Sequence, residues 1–116
     1  MDSKQLQDIA ENYWQEYCEI FPALVKFDCP KIVLNNRFTK TAGCNVWDDN
    51  IVQLGTKFFR KFSRGMIAVI LPHELAHQID YNLNHSGNVR KYHDVTWKEI
   101  MLKIGQKPAT CHNMEI

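Results

Sequence analysis

Residues 72–80 read PHELAHQID. On a helix, His73 and His77 lie four residues apart and point two imidazoles from successive turns toward one place. Glu74 is rotated about 100° from His73, so it borders that place without having to fill it. H-E-x-x-H helices of this kind hold a metal, usually zinc, between the two histidines, and the glutamate takes a proton from metal-bound water. With 5 histidines and 6 glutamates in 116 residues, shuffling produces the pattern about once in a hundred sequences. The apolar run MIAVIL at 66–71 lowers that chance further, because it gives the motif the helical setting it needs.

Two histidines leave a catalytic zinc one protein ligand short. The longer pattern H-E-x-x-H-x-x-G-x-x-H is excluded, because positions 80 and 83 hold Asp80 and Leu83. Four candidates remain. Asp80 shares the helical face but lies about 10 Å beyond His73 along the axis, which suits a partner for an imidazole or a surface charge better than a ligand. His85 falls in the turn-rich stretch NLNHSGN (82–88), and Glu99 falls inside the last helical pattern. His93 fits best, since a loop over 82–92 can reverse the chain and present it where the last helix begins, with Asp94 as N-cap.

Working outward, Leu6, Ile9, Ala10, Tyr13, Trp14, Tyr17 and Phe21 recur at intervals of three and four, predicting an amphipathic helix that stops before Pro22. KIVLNN (31–36) is β-branched and apolar, and TAGCNVWDDNIVQLG (41–55) holds two strand-like runs around Asp48, Asp49 and Asn50, so a small antiparallel sheet with a hairpin is expected. From Lys57 the helical spacing returns and runs into the motif. Pro72 implies either a kinked helix over about 65–83 or a helix restarting there. Val95, Trp97, Ile100, Met101 and Ile104 predict a last helix ending at Gly105.

The expected fold class is therefore α+β: a sheet of about three strands with an N-terminal helix, an active-site helix and a C-terminal helix. A chain of 116 residues, 45% hydrophobic, suits one domain spanning 1–116. Cys18, Cys29, Cys44 and Cys111 make no C-x-x-C pair, so they read as reduced thiols, Cys18 and Cys44 as small apolar residues. No run reaches the roughly 18–20 apolar residues of a membrane helix, and the N-terminus resembles no signal peptide, so a cytoplasmic monomer off the membrane is expected. The net charge of +1 does not by itself point to a polyanion.

The stretches ILPHELAHQID (70–80), HDVTWKEIMLKIG (93–105) and PATCHNMEI (108–116) resemble the SprT family of zinc metallopeptidases, with its P-H-E-L-A-H core and H-G-x-x-W-K-x-x-M segment. Upstream, NRFTKTAGCNVWDDNIVQL (36–54) is similar to that family's R-x-T-x-A-G-x-A-W hairpin. The resemblance implies a minimal zincin-like domain with His73, His77 and His93 as zinc ligands and Glu74 as general base. It also implies that Pro72 belongs to the motif. Spartan-type relatives cleave proteins trapped on DNA, which suggests DNA-associated proteolysis. Asp94 stands where the family has glycine, and the zinc-ribbon pattern of many relatives is not found here.

In KFFRKFSR (57–64), Lys57, Arg60, Lys61 and Arg64 form one basic stripe if the segment is a single helix, suited to the phosphates of single-stranded DNA, with aromatics that could stack on bases. The competing reading is an amphipathic helix with solvated cations and buried phenylalanines. Tyr81 and Tyr92 are candidate donors to a tetrahedral oxyanion, with packing as the alternative role. The main expectation is a zinc endopeptidase acting on protein substrates. Its rivals are a zinc-containing DNA- or protein-binding module without proteolysis and a protease unconnected to nucleic acid.

Overall fold

The structure, a computed structural model, describes residues 3–84 and 95–108. Helix α1 (Ser3–Ile20) buries Leu6, Ala10, Trp14 and Tyr17, the stripe its periodicity predicts, and gives way at Pro22 to a 3-10 turn, Pro22–Lys26. Strands β1 (Lys31–Asn35), β2 (Gly43–Val46) and β3 (Ile51–Gly55) form a sheet in the order β1-β3-β2. Three short helical pieces follow: α2 (Thr56–Lys61), α3 (Ser63–Gly65) and a π turn (Met66–Ile70). They lead into α4 (Leu71–Asn84), and α5 (Val95–Lys103) closes the described chain.

The α+β class and the strand number are as expected, but the sheet is mixed rather than antiparallel. β2 and β3 are antiparallel, with Asn45 opposite Val52, whereas β1 and β3 are parallel, with Val33 opposite Gln53. The reason is topological. Each link in β1–β2–β3 reverses the chain, so β1 and β3 run the same way, and β3 lies between the other two. The reversal before β3 uses Asn50 at φ 55°, a left-handed conformation that asparagine tolerates. Asn50 donates its backbone N–H to Trp47 and its side-chain amide to the Asp28 carbonyl, at 3.2 and 3.1 Å. The outer edge of β1 is covered by α1: Gln7 accepts from Ile32 N–H at 2.8 Å and donates to the Pro30 carbonyl at 3.0 Å.

The helical run before the motif is interrupted where the spacing predicted continuity. Phe62 sits at φ −130°, ψ 45°, outside helical geometry, and separates α2 from α3. Lys57, Arg60, Lys61 and Arg64 are all exposed, but they do not lie on one helix. Phe58 and Phe59 are buried in the core, so these two rings are not free to stack on bases.

Pro72 does not stop the chain from staying helical, and the turn before it adjusts. Leu71 N–H donates to Met66 O, five residues back. Ile67 O thereby loses its α-type donor, and its π-type donor would be Pro72, which has no N–H. The Tyr13 hydroxyl donates to Ile67 O at 3.0 Å and fills the gap. At its far end α4 extends through 82–84, where a loop was expected. Two i,i+4 side-chain bonds hold that turn, Gln78 Nε2 to Asn82 Oδ1 at 2.9 Å and Asn84 Nδ2 to Asp80 Oδ1 at 2.8 Å. Helix α5 ends at Lys103, and the chain turns away at Gly105, φ 83°, with Gln106 N–H returning to Met101 O at 2.8 Å.

Residues 71–80 are buried on every side, between the sheet, α5 and the elements that precede them. The three described cysteines, Cys18, Cys29 and Cys44, are free thiols in half-buried positions, and no helix among the described residues is long and apolar enough to cross a membrane. Tyr13→Phe should lower unfolding free energy by about 1–2 kcal/mol in urea titrations, since it strands the Ile67 carbonyl. A loss indistinguishable from zero would show that the carbonyl finds another donor.

Candidate metal centre

Helix α4 carries His73, Glu74 and His77 into the interior, where they retain only 5%, 8% and 7% of their exposure. One ligand atom from each lies within 4.8 Å of the other two. The imidazole centroids are 5.0 Å apart at an interplanar angle of 68°, as expected of side chains one helical turn apart. His73 Nε2 and Glu74 Oε2 are 3.9 Å apart, near but beyond hydrogen-bonding distance. Two imidazoles and a carboxylate, buried and converging, form a donor set that suits a divalent transition ion.

Three neighbours shape this group. Strand β2 lies against it through Gly43: a Cβ there would stand 2.9 Å from Ile70 Cγ2 and 3.1 Å from Glu74 Cγ. Only glycine lets the strand backbone come so close to the glutamate. Helix α5 supplies Trp97, whose indole packs on both imidazoles. Below the histidines a buried amide network joins α4 to the hairpin. Asn45 Nδ2 donates to Gln78 Oε1 at 2.8 Å and to Ile51 O at 3.1 Å, while Gln78 Nε2 reaches Trp47 O at 3.3 Å.

Burial pushes the Glu74 carboxyl up to about 8. The Cys44 thiol is also raised, first by burial and then by the Glu74 charge.

Not every predicted residue joins the group. Asp80 is buried, not a surface charge, and its Oδ1 accepts from Asn84; it lies outside the cluster of His73, Glu74 and His77. Glu99 is exposed on α5 and is no ligand in this arrangement. The Tyr81 hydroxyl donates to Asp48 Oδ1 at 3.0 Å, so it is committed to the hairpin turn rather than to an oxyanion. His85, Tyr92, His93 and Asp94 lie outside the described residues. Sequence reading missed the roles of Gly43, Asn45, Gln78 and Trp97. A signal existed for Gln78: a polar residue inside a helix buried all round must find partners.

The SprT-like family model matches residues 6–115, running through the motif helix and α5. A curated relative, Protein SprT of Vibrio atlanticus (strain LGP32), is 35% identical over 92 residues, which cover 78% of this chain and 53% of that protein. The chain thus spans about half the length of this relative. No solved structure matches the chain.

The Glu74 shift sets the sign of a pH dependence. Its folded value of about 8 lies above the ordinary 4.5, so the stabilisation it gives the metal-free protein is complete below pH 4.5 and is lost as pH rises toward 8. Melting temperatures of metal-free wild type should fall across that window, and Glu74→Gln should flatten the profile. Parallel profiles for the two proteins would contradict the shift.

Proposed function

Because the chain belongs to the SprT-like family, we propose that it is a zinc-dependent endopeptidase, with His73, His77 and His93 as ligands and Glu74 as general base. The observation that carries this reading is the buried triad on α4, with its ligand atoms within 4.8 Å of one another. A site that only held structure would have no use for a carboxylate kept dry beside its first histidine. His93 completes the set by the family pattern and by its place just before α5.

A bound zinc supplies Lewis acidity at the scissile carbonyl and brings the pKa of water down toward about 7. The chain's own residues do the rest. Glu74 takes the proton of the attacking water and can hand it to the leaving amine, a role suited to a carboxyl whose affinity for protons burial has raised. β2 is an edge strand, so its backbone can pair with an extended peptide, and Gly43 brings that backbone beside Glu74. The Asn45–Gln78 bond keeps strand and helix in register.

The proposed substrates are proteins held on DNA. Exposed Lys57, Arg60, Lys61 and Arg64 support contact with single-stranded phosphate backbone, while the burial of Phe58 and Phe59 makes that contact electrostatic rather than stacking.

Two measurements test the reading. Glu74→Gln should keep zinc in metal analysis while losing at least ~100-fold in cleavage of a DNA-binding protein; undiminished cleavage would remove the base. The double charge reversal Arg60→Glu, Lys61→Glu should weaken single-stranded DNA binding and flatten its salt dependence. Unchanged affinity would detach the substrate proposal from this surface.

A further inference from the structure

Trp97 is fully buried, with 0% of its surface exposed. Its indole lies almost parallel to the His77 imidazole, 5.0 Å between centroids at 15°, and meets the His73 ring edge-on, 4.9 Å at 61°. With the imidazoles themselves 5.0 Å apart, the three rings close a triangle in which each touches the other two. The indole Nε1–H points back to the carbonyl of His73, a long contact of 3.5 Å that anchors the triangle to the backbone of α4.

We infer that Trp97 is a positioning residue for the metal site, fixing the ring planes of both imidazoles so that metal affinity depends on it beyond its share of the core. The inference rests on the reading of His73 and His77 as ligands. The torsion that turns an imidazole about its Cβ–Cγ bond is broad and roughly two-fold, so rotamer preference alone leaves the ring plane loose. A ligand nitrogen must nonetheless aim its lone pair at the ion. Groups around a metal site commonly restrict this motion by bonding the other ring nitrogen. Here a rigid indole also lies on one imidazole face and against the other ring, so neither can turn without displacing it. Phenylalanine could offer one face, but it has no N–H and less area to span both rings. Trp97 also stands four residues after His93 in sequence, so the residue that orients two ligands is carried by the helix that follows the expected third.

The test separates positioning from packing. Zinc affinity of the full chain is measured by competition with a chromogenic chelator, alongside thermal melting of the metal-free protein. The proteins are wild type, Trp97→Phe, Trp97→Leu and Met101→Ala, the last a buried residue one turn further along α5. Trp97→Leu should weaken zinc binding by ~10- to 100-fold, the range for groups that orient metal ligands. Trp97→Phe should recover part of that loss, and Met101→Ala should lower the melting temperature while leaving the affinity of the folded protein unchanged. Zinc binding by the Trp97 variants at the wild-type level, or an equal loss in Met101→Ala, would overturn the inference. If Trp97→Leu does not fold, the comparison of Trp97→Phe with Met101→Ala decides on the same terms. A wild-type chain that takes up no zinc overturns the ligand assignment, and this inference falls with it.

Discussion

The structure depends on one costly arrangement, a helix buried on all sides over residues 71–80 that carries two histidines, a glutamate, a glutamine and an aspartate into the interior. Burying an unpartnered polar group costs on the order of 1–3 kcal/mol on mutational scales, so each of these side chains must be answered by something nearby. Gln78 is answered by Asn45, Asn82 and the Trp47 carbonyl. Asp80 is answered at least by Asn84. The imidazoles are walled by Trp97. Glu74 is answered by shifting its proton affinity upward, so its charged form is costly in the folded protein without a cation.

The proline that opens the motif belongs to the same arrangement. Pro72 removes a donor within the helix, the π turn before it moves the deficit to Ile67, and Tyr13 of α1 repairs it from the side. The first helix is therefore tied by a hydrogen bond to the π turn that leads into the motif helix. From the other side, Gly43 lets β2 press against Ile70 and Glu74. A π turn, a missing Cβ and a buried amide pair together set the distance between strand edge and glutamate, a distance that helix and strand propensities leave undefined.

What the sequence disclosed and what it withheld follow from the range of the interactions involved. Helices α1 and α5 were legible because 3.6-residue periodicity is local, and the motif helix because its chemistry demands two histidines on one face. The β2–β3 hairpin was legible from a short polar turn between apolar runs. The parallel pairing of β1 was not, because it depends on which strand takes the middle place, a choice made by long-range packing. The break at Phe62 was hidden for a related reason: Phe58, Phe59 and Phe62 keep helical spacing, while the backbone leaves helical geometry at Phe62 itself. At the site, His73, Glu74 and His77 could be read from residue type and spacing. Gly43, Asn45 and Trp97 could not, since each acts on α4 from a distant part of the chain. Tyr81 was placed near the chemistry by sequence proximity alone, and its hydroxyl turned to Asp48 instead.

These features make the candidate metal site and the fold one thermodynamic unit. Without a cation, the fold carries a carboxyl that resists ionisation and two imidazoles held in place by an indole. An ion bound to this set would offset the Glu74 penalty electrostatically and would stabilise the folded chain by mass action, about 2.7 kcal/mol when free metal is a hundredfold above Kd. That is a large share of the 5–15 kcal/mol typical of a domain. In the metal-free chain the amide network answers Gln78, and the Trp97 indole packs on both imidazoles. Glu74 is left with a raised affinity for its proton, the property that the proposed hydrolysis would use.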